Sequence, residues 1–218
     1  MKVLLFDLDG TLLNTLTDLH ASVNRALAFC GLPQKSLAEI RSYLGNGIRV
    51  LVAKSVPDGE QNQQFEACFA AFQKDYDAHC MDATKPYPGI SETLAALRAD
   101  GWRTALVSNK ADFAVQPLWK RFFPDTIELA VGQCSALRRK PAPDMPLAAL
   151  QELGASPEEA VYIGDSEVDF ETARALGSAC VLVSWGFRDR AQLETYKVPI
   201  ADSPQELAAL CTAALEKP

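Results

Sequence analysis

Histidine is scarce in this chain: 2 residues in 218, His20 and His79, both in stretches of helical periodicity that suit surface or packing roles rather than metal ligation. The 6 cysteines (Cys30, Cys68, Cys80, Cys134, Cys180, Cys211) contain no Cys-x-x-Cys pair, so no zinc-type ligand set can be composed. Most of them lie inside apolar runs and are expected to be small core residues in a reducing compartment. Basic runs are missing too. None is longer than Arg138-Arg139-Lys140, and a net charge of −7 argues against a broad nucleic-acid or anionic-membrane face. No apolar stretch approaches the roughly 20 residues of a membrane span. The apolar run Val3–Phe6 ahead of Asp7 is too short for a signal peptide. The expected setting is the cytoplasm, with a small-molecule partner, no nucleic acid, no membrane, and a monomer or homodimer.

Apolar residues, by contrast, are plentiful at 48% against 22% charged, enough to build one large core or a core with a smaller insertion. From about residue 89 a unit repeats: amphipathic helix, glycine stop, apolar strand. "SETLAALRADG" leads into "WRTALVS", "MPLAALQELG" into "AVYIGDS", and "FETARALG" into "SACVLVSWG". The strands are continuous apolar runs, as expected when helices cover both faces of a sheet. With Val3–Phe6 and "TIELAVG" this makes five strands alternating with helices, hence an α/β fold with a doubly wound parallel sheet. Residues 15–84 show only helical periodicity. Leu16, Leu19, Val23 and Leu27 share a face, Ser36 and Glu39 have capping-box spacing, and Phe65, Phe69, Phe72 and Tyr76 form a stripe. The expected organisation is a core of 1–14 and 85–218 with an inserted helical domain of 15–84, hinged near 14–17 and 83–88.

Ligands of open parallel sheets bind at the carboxyl ends of the strands, so the residues that follow each strand carry the functional reading. After the first strand comes "DLDGT", with Asp7 and Asp9 two apart and therefore on one face of extended chain. By itself that stretch reads equally as an acidic Asp-Gly turn. "GDSEVD" brings Asp165 and Asp169 to the same sheet edge, and either acid alone could simply complement a helix N-terminus. Several carboxylates together resist ionisation unless a cation neutralises them. An all-oxygen set suits a hard ion, with Mg²⁺ the natural candidate. Magnesium held in this way leaves positions for phosphate oxygens. Lys140 of "RRKPAPD" and Ser108 could then supply an ammonium and a hydroxyl, and the backbone around Gly10 and Asn109 further donors.

"DLDGT", "LVSN", "RRKPAPD" and "GDSEVD", in that order, resemble the four motifs of the haloacid dehalogenase superfamily, and the helical insertion resembles its first type of cap. The resemblance spans essentially the whole chain. It implies a Rossmann-like core and a Mg²⁺-dependent phosphomonoesterase working through an aspartyl-phosphate. Asp7 would be the nucleophile and Asp9 the acid and base; Ser108 and Lys140 would hold the phosphoryl group. Asp165 and Asp169 would bind Mg²⁺ with Asp7 and the Asp9 carbonyl, and Gly10, Thr11 and Asn109 would line the substrate. An acid at Asp9 departs from the dehalogenases proper; Asn14 stands where many relatives carry Asp. "TDLHASVNRAL", "LGNGIRVLV", "SNK" and "KPAPD" look most like the phosphoglycolate phosphatase branch. Arg49, just past the turn glycines of "LGNGIR", is expected to meet a substrate carboxylate, since arginine binds carboxylates bidentately. Pyrophosphatase, nucleotidase and sugar-phosphate phosphatase or mutase chemistry use the same machinery. A non-catalytic phosphate-binding module is the reading from another class, and Asp9, whose charge would repel phosphate, argues against it.

Overall fold

The structure is a computed structural model that describes residues 2–216. It divides into two compact units. The first comprises the described residues 2–13 and 86–216, the second residues 14–85.

The first unit is built on six parallel strands: β1 (Val3–Phe6), β2 (Arg103–Ala111), β3 (Leu129–Gln133), β4 (Ala160–Gly164), β5 (Ala179–Val183) and β6 (Ile200–Ala201). Their order across the sheet is β3-β2-β1-β4-β5-β6. In register, Phe6 of β1 stands beside Leu106 of β2 on one side and Ile163 of β4 on the other. Side chains alternate between faces along each strand, and the buried apolar residues sort accordingly. Leu4, Phe6, Leu106, Val161, Ile163, Val181 and Val183 pack on one face with Ile90, Leu94 and Leu97 of helix Ile90–Ala99 and Leu207 of helix Leu207–Leu215. Val3, Leu5, Ala105, Val107, Tyr162 and Leu182 pack on the other with Met145, Leu150 and Leu153 of helix Asp144–Leu153 and Ala173 and Leu176 of helix Glu167–Leu176. Helices therefore cover both faces, and the sheet is doubly wound and parallel as the apolar runs indicate.

Two differences from the sequence reading matter. A sixth strand exists, but Ile200–Ala201 is too short to carry a periodic signal. Strand β2 is longer than its apolar run: it continues through Ser108, Asn109 and Lys110, all buried, to Ala111. Polar residues inside a buried strand do not register as strand in a hydrophobicity pattern, and these three belong to the site.

The second unit holds four α-helices, Leu16–Phe29, Leu37–Tyr43, Ile48–Ser55 and Phe65–His79. Leu19, Val23, Leu27, Phe65, Phe72 and Tyr76 are buried, while Leu16 and Phe69 are half-buried. Ser36 and Glu39 form the expected capping box. The last helix starts at Phe65, after a separate turn of 3₁₀ helix at Gly59–Gln61. Asp18 ties the two ends of this unit together: its carboxylate accepts from the main-chain N–H of Ala83 (2.9 and 3.0 Å) and Thr84 (2.8 Å). His20 and Asn24 hold the Lys35 carbonyl, and His79 pairs with Asp82. Cys68, Cys80, Cys180 and Cys211 are buried, Cys30 is half-buried, and Cys134 is exposed in the loop after β3, contrary to a core role for it. Among the described residues no helix is long and apolar enough to cross a membrane.

Candidate active site

Strands β1 and β4 are neighbours, yet the chain passes from β1 to β2 on one side before reaching β4 on the other. Connections diverge to opposite faces at such a point and open a crevice beyond the strand ends. Asp7 directly follows β1, and Asp165 directly follows β4. The ladder still pairs at this edge, since the Asp7 N–H donates to the Ile163 carbonyl at 2.9 Å. Asp169 lies in the first turn of helix Glu167–Leu176, where Ser166 is the cap and Asp169 its third-residue partner. One oxygen of Asp169 accepts from the main-chain N–H groups of Asp165 and Ser166 (both 3.2 Å) and from the Ser166 hydroxyl (2.7 Å). Its other oxygen, Oδ1, accepts from the Lys140 ammonium at 2.8 Å. Asp165 is fixed in turn by the Phe187 N–H at 2.6 Å.

Three carboxylates result, those of Asp7, Asp165 and Asp169, all buried, with one oxygen from each lying within 4.8 Å of the others. Three glycines make room for them. A β-carbon on Gly10 (φ +88°) or Gly186 would overlap the Asp165 side chain, and one on Gly164 would overlap Asp169.

Lys140 reaches into this group from the loop after β3. Its ammonium lies 2.9 Å from Asp7 Oδ1 and 2.8 Å from Asp169 Oδ1, and its side chain is only 2% exposed. Asn109 holds the lysine's backbone reciprocally: its side-chain carbonyl accepts from the Lys140 N–H (2.8 Å) and its amide donates to the Lys140 carbonyl (3.1 Å). Asn109 is thus a support for Lys140, a role the sequence reading did not give it.

Burial dominates the electrostatics. It pushes the Asp7 carboxyl up from 3.8 to about 7; the Lys140 charge opposes the rise, and the charges of Asp169 and Asp9 add to it. Asp165 is raised well above its ordinary value by burial and then by Asp169 and Asp7. For Lys140, burial favours the neutral amine, but the carboxylates of Asp169 and Asp7 outweigh it and keep the ammonium charged. Buried acids held this close are unfavourable as anions unless more positive charge arrives. An all-oxygen set of this kind fits a hard divalent cation, so the residues present suit the metal that the motifs imply.

Asp9 stands apart from the three. Its carboxylate is not in that cluster, and its side chain is 23% exposed and paired with Lys110, whose ammonium lies 3.2 Å from Oδ1 and 3.4 Å from Oδ2. Ser108 is buried at the same strand end, and its hydroxyl accepts from the Lys110 N–H at 3.2 Å. Thr11 is 1% exposed, and its hydroxyl has no hydrogen-bond partner. Asp7, Asp9, Gly10, Thr11, Ser108, Asn109, Lys140, Asp165 and Asp169 all lie in the first unit. Arg49 belongs to the other unit, where its guanidinium pairs with Glu66 (2.6 Å) and Glu60 (3.1 Å) and lies over the rings of Phe65 and Phe69. Lys110 was the residue missed. The two-residue spacing that groups Asp7 with Asp9 also groups Ser108 with Lys110, once β2 is known to extend so far.

Residues 4–183 match the family of haloacid dehalogenase-like hydrolases. The chain is 38% identical over 195 residues to a phosphoglycolate phosphatase of Cereibacter sphaeroides, a match covering 86% of this chain and 87% of that protein. It is 36% identical to a phosphoglycolate phosphatase of Thiobacillus denitrificans across 98% of this chain and 97% of the relative. A crystal structure of a proposed phosphoglycolate phosphatase from Lactobacillus delbrueckii subsp. bulgaricus superposes with a TM-score of 0.91 at 32% identity, covering 99% of both chains.

Proposed function

The chain belongs to the haloacid dehalogenase-like hydrolase family and is a phosphatase within it, and from that premise we propose that it is a Mg²⁺-dependent phosphomonoesterase whose substrate is phosphoglycolate. The observation that carries the chemistry is the buried trio Asp7, Asp165 and Asp169 with Lys140 bridging two of its members. The substrate rests on the identity to curated phosphoglycolate phosphatases over most of both chains.

In the first half-reaction an oxygen of Asp7 attacks phosphorus, the ester P–O bond breaks, and the leaving oxygen takes a proton from Asp9. In the second, Asp9 takes a proton from water, the water oxygen attacks phosphorus, and the bond from Asp7 to phosphorus breaks to release phosphate. Splitting hydrolysis in this way replaces one difficult displacement by two easier ones. Lys140 stabilises the phosphoryl oxygens and opposes the rise that burial imposes on Asp7; Ser108 donates to the same oxygens, with Gly10 and Thr11 beside them. Mg²⁺ bound by Asp7, Asp165, Asp169 and the Asp9 carbonyl would neutralise charge on the transferring phosphoryl group. Arg49 is assigned to the substrate carboxylate.

A panel of small phosphate monoesters assayed with Mg²⁺, and again with a chelator, tests this reading. Phosphoglycolate should give the highest kcat/KM, and the chelator should abolish turnover. Chelator-insensitive hydrolysis would contradict the metal, and a better sugar-phosphate or nucleotide substrate would replace the substrate while leaving the mechanism in place.

A further inference from the structure

Each acid of "DLDGT" has its own lysine: Lys140 reaches Asp7, and Lys110 reaches Asp9 with its ammonium at 3.2 and 3.4 Å from the two carboxylate oxygens. The second pairing is not a surface ion pair. The Lys110 side chain is 1% exposed, whereas that of Asp9 is 23% exposed, so the carboxylate opens to solvent and the ammonium lies beneath it. An ammonium so deeply buried costs several kcal/mol unless it is paired, and side chains that must present a reacting atom are held by such supports. The backbone of Lys110 is anchored as well. It lies inside strand β2, its N–H donates to Ser108 Oγ at 3.2 Å, and the β2–β3 ladder shifts register between Ser108 and Ala111. That irregularity sits where Asn109 holds Lys140. One short segment thus supports both lysines.

We propose that Lys110 is a positioning residue for the reaction: it holds the Asp9 carboxyl in the orientation from which Asp9 exchanges protons with the leaving oxygen and with water. The inference rests on the assignment of Asp9 as acid and base under the proposed function. Because the Lys110 side chain is the more deeply buried of the two, its role is assigned through Asp9 rather than through contact with substrate. It differs from Lys140, which the proposed function assigns to the phosphoryl group.

The experiment measures kcat and KM for para-nitrophenyl phosphate and phosphoglycolate with Mg²⁺ in the wild type, Lys110→Met, Lys110→Arg, Asp9→Asn and the double variant Asp9→Asn/Lys110→Met. Misplacing a reacting group by about 1 Å costs on the order of a hundredfold in rate. Lys110→Met should therefore lower kcat by about that factor with KM nearly unchanged, and Lys110→Arg should recover most of the loss. In the Asp9→Asn background, Lys110→Met should slow the reaction no further. If Lys110→Met does not fold, Lys110→Gln, which keeps the reach without the charge, carries the same expectations. A raised KM at unchanged kcat would overturn the inference and make Lys110 a substrate contact. An equal slowing in the presence and absence of Asp9 would overturn it as well, because Lys110 would then act independently. The underlying reading fails separately: an inactive wild type, or an active Asp7→Asn, removes it and this inference together, whereas an active wild type with an unaffected Lys110→Met removes only this inference.

Discussion

At Asp7, two opposing influences meet on one carboxyl. Burial pushes it up to about 7, and Lys140 at 2.9 Å pulls it back. A nucleophile held in that balance is sensitive to any loss of positive charge. Lys140→Met leaves Asp7 and Asp169 without their shared cation; breaking a buried pair in this way costs about 3 kcal/mol. Chemical denaturation of the metal-free protein should show a loss of that order, with Mg²⁺ returning part of it, and hydrolysis should fall severely. Arg49→Ala tests a different residue. If Arg49 meets the substrate carboxylate, its loss raises KM for phosphoglycolate while leaving KM for para-nitrophenyl phosphate, which has no carboxylate, unchanged. Equal KM values for phosphoglycolate in the variant and the wild type would instead confine Arg49 to its pairs with Glu60 and Glu66.

Among the elements, the segment between Asp18 and Thr84 shows how the helical unit is closed. A buried carboxylate accepting main-chain N–H bonds from Ala83 and Thr84 fixes the last residues of the unit against its first helix. Hydrogen bonds to a charged group contribute about 1.5–3 kcal/mol each when one partner is removed. Asp18→Ala should therefore destabilise the protein by about 2 kcal/mol in urea denaturation while leaving the catalytic residues in place. Asp18 was not legible in the sequence as a clamp, because a carboxylate in a first helical turn is already accounted for by the helix dipole. Strands β1 to β5 were legible as continuous apolar runs, and the acids after β1 and β4 pointed to the site. What escaped was either polar, as Asn109 and Lys110 inside β2, or too short to carry a pattern, as the two-residue strand β6. Hydrophobic patterning is blind to a strand whose buried side chains are neutralised by partners distant in sequence. Lys110 and Asp9 are 101 positions apart.

For the molecule as a whole, the buried acids link stability, pH and metal. Since burial raises Asp7 from 3.8 to about 7, the metal-free folded protein keeps a proton there that the unfolded chain has already released. The contribution of Asp7 to stability is accordingly full below about pH 4 and is lost as the pH rises towards about 7. A divalent cation takes the place of that proton, and cation binding strengthens as carboxylates ionise. Thermal denaturation with and without Mg²⁺ should therefore show little stabilisation near pH 5 and a gain of about 5 °C near pH 7.5 at saturating metal. A gain that shrinks with rising pH would mean that the ion binds elsewhere. The crevice between β1 and β4 explains why these groups meet at all: strand order places Asp7 and Asp165 side by side, although 157 residues (165 − 8) separate them in sequence.

The most direct test of the central claim is to trap the phosphoryl group. Acid quenching during turnover of phosphoglycolate with Mg²⁺, followed by borohydride reduction and peptide mass spectrometry, identifies any acyl phosphate by converting its aspartate to homoserine. The account predicts homoserine at position 7, and none there in Asp7→Asn. Homoserine at another aspartate, or turnover with no reducible acyl phosphate at all, would contradict it.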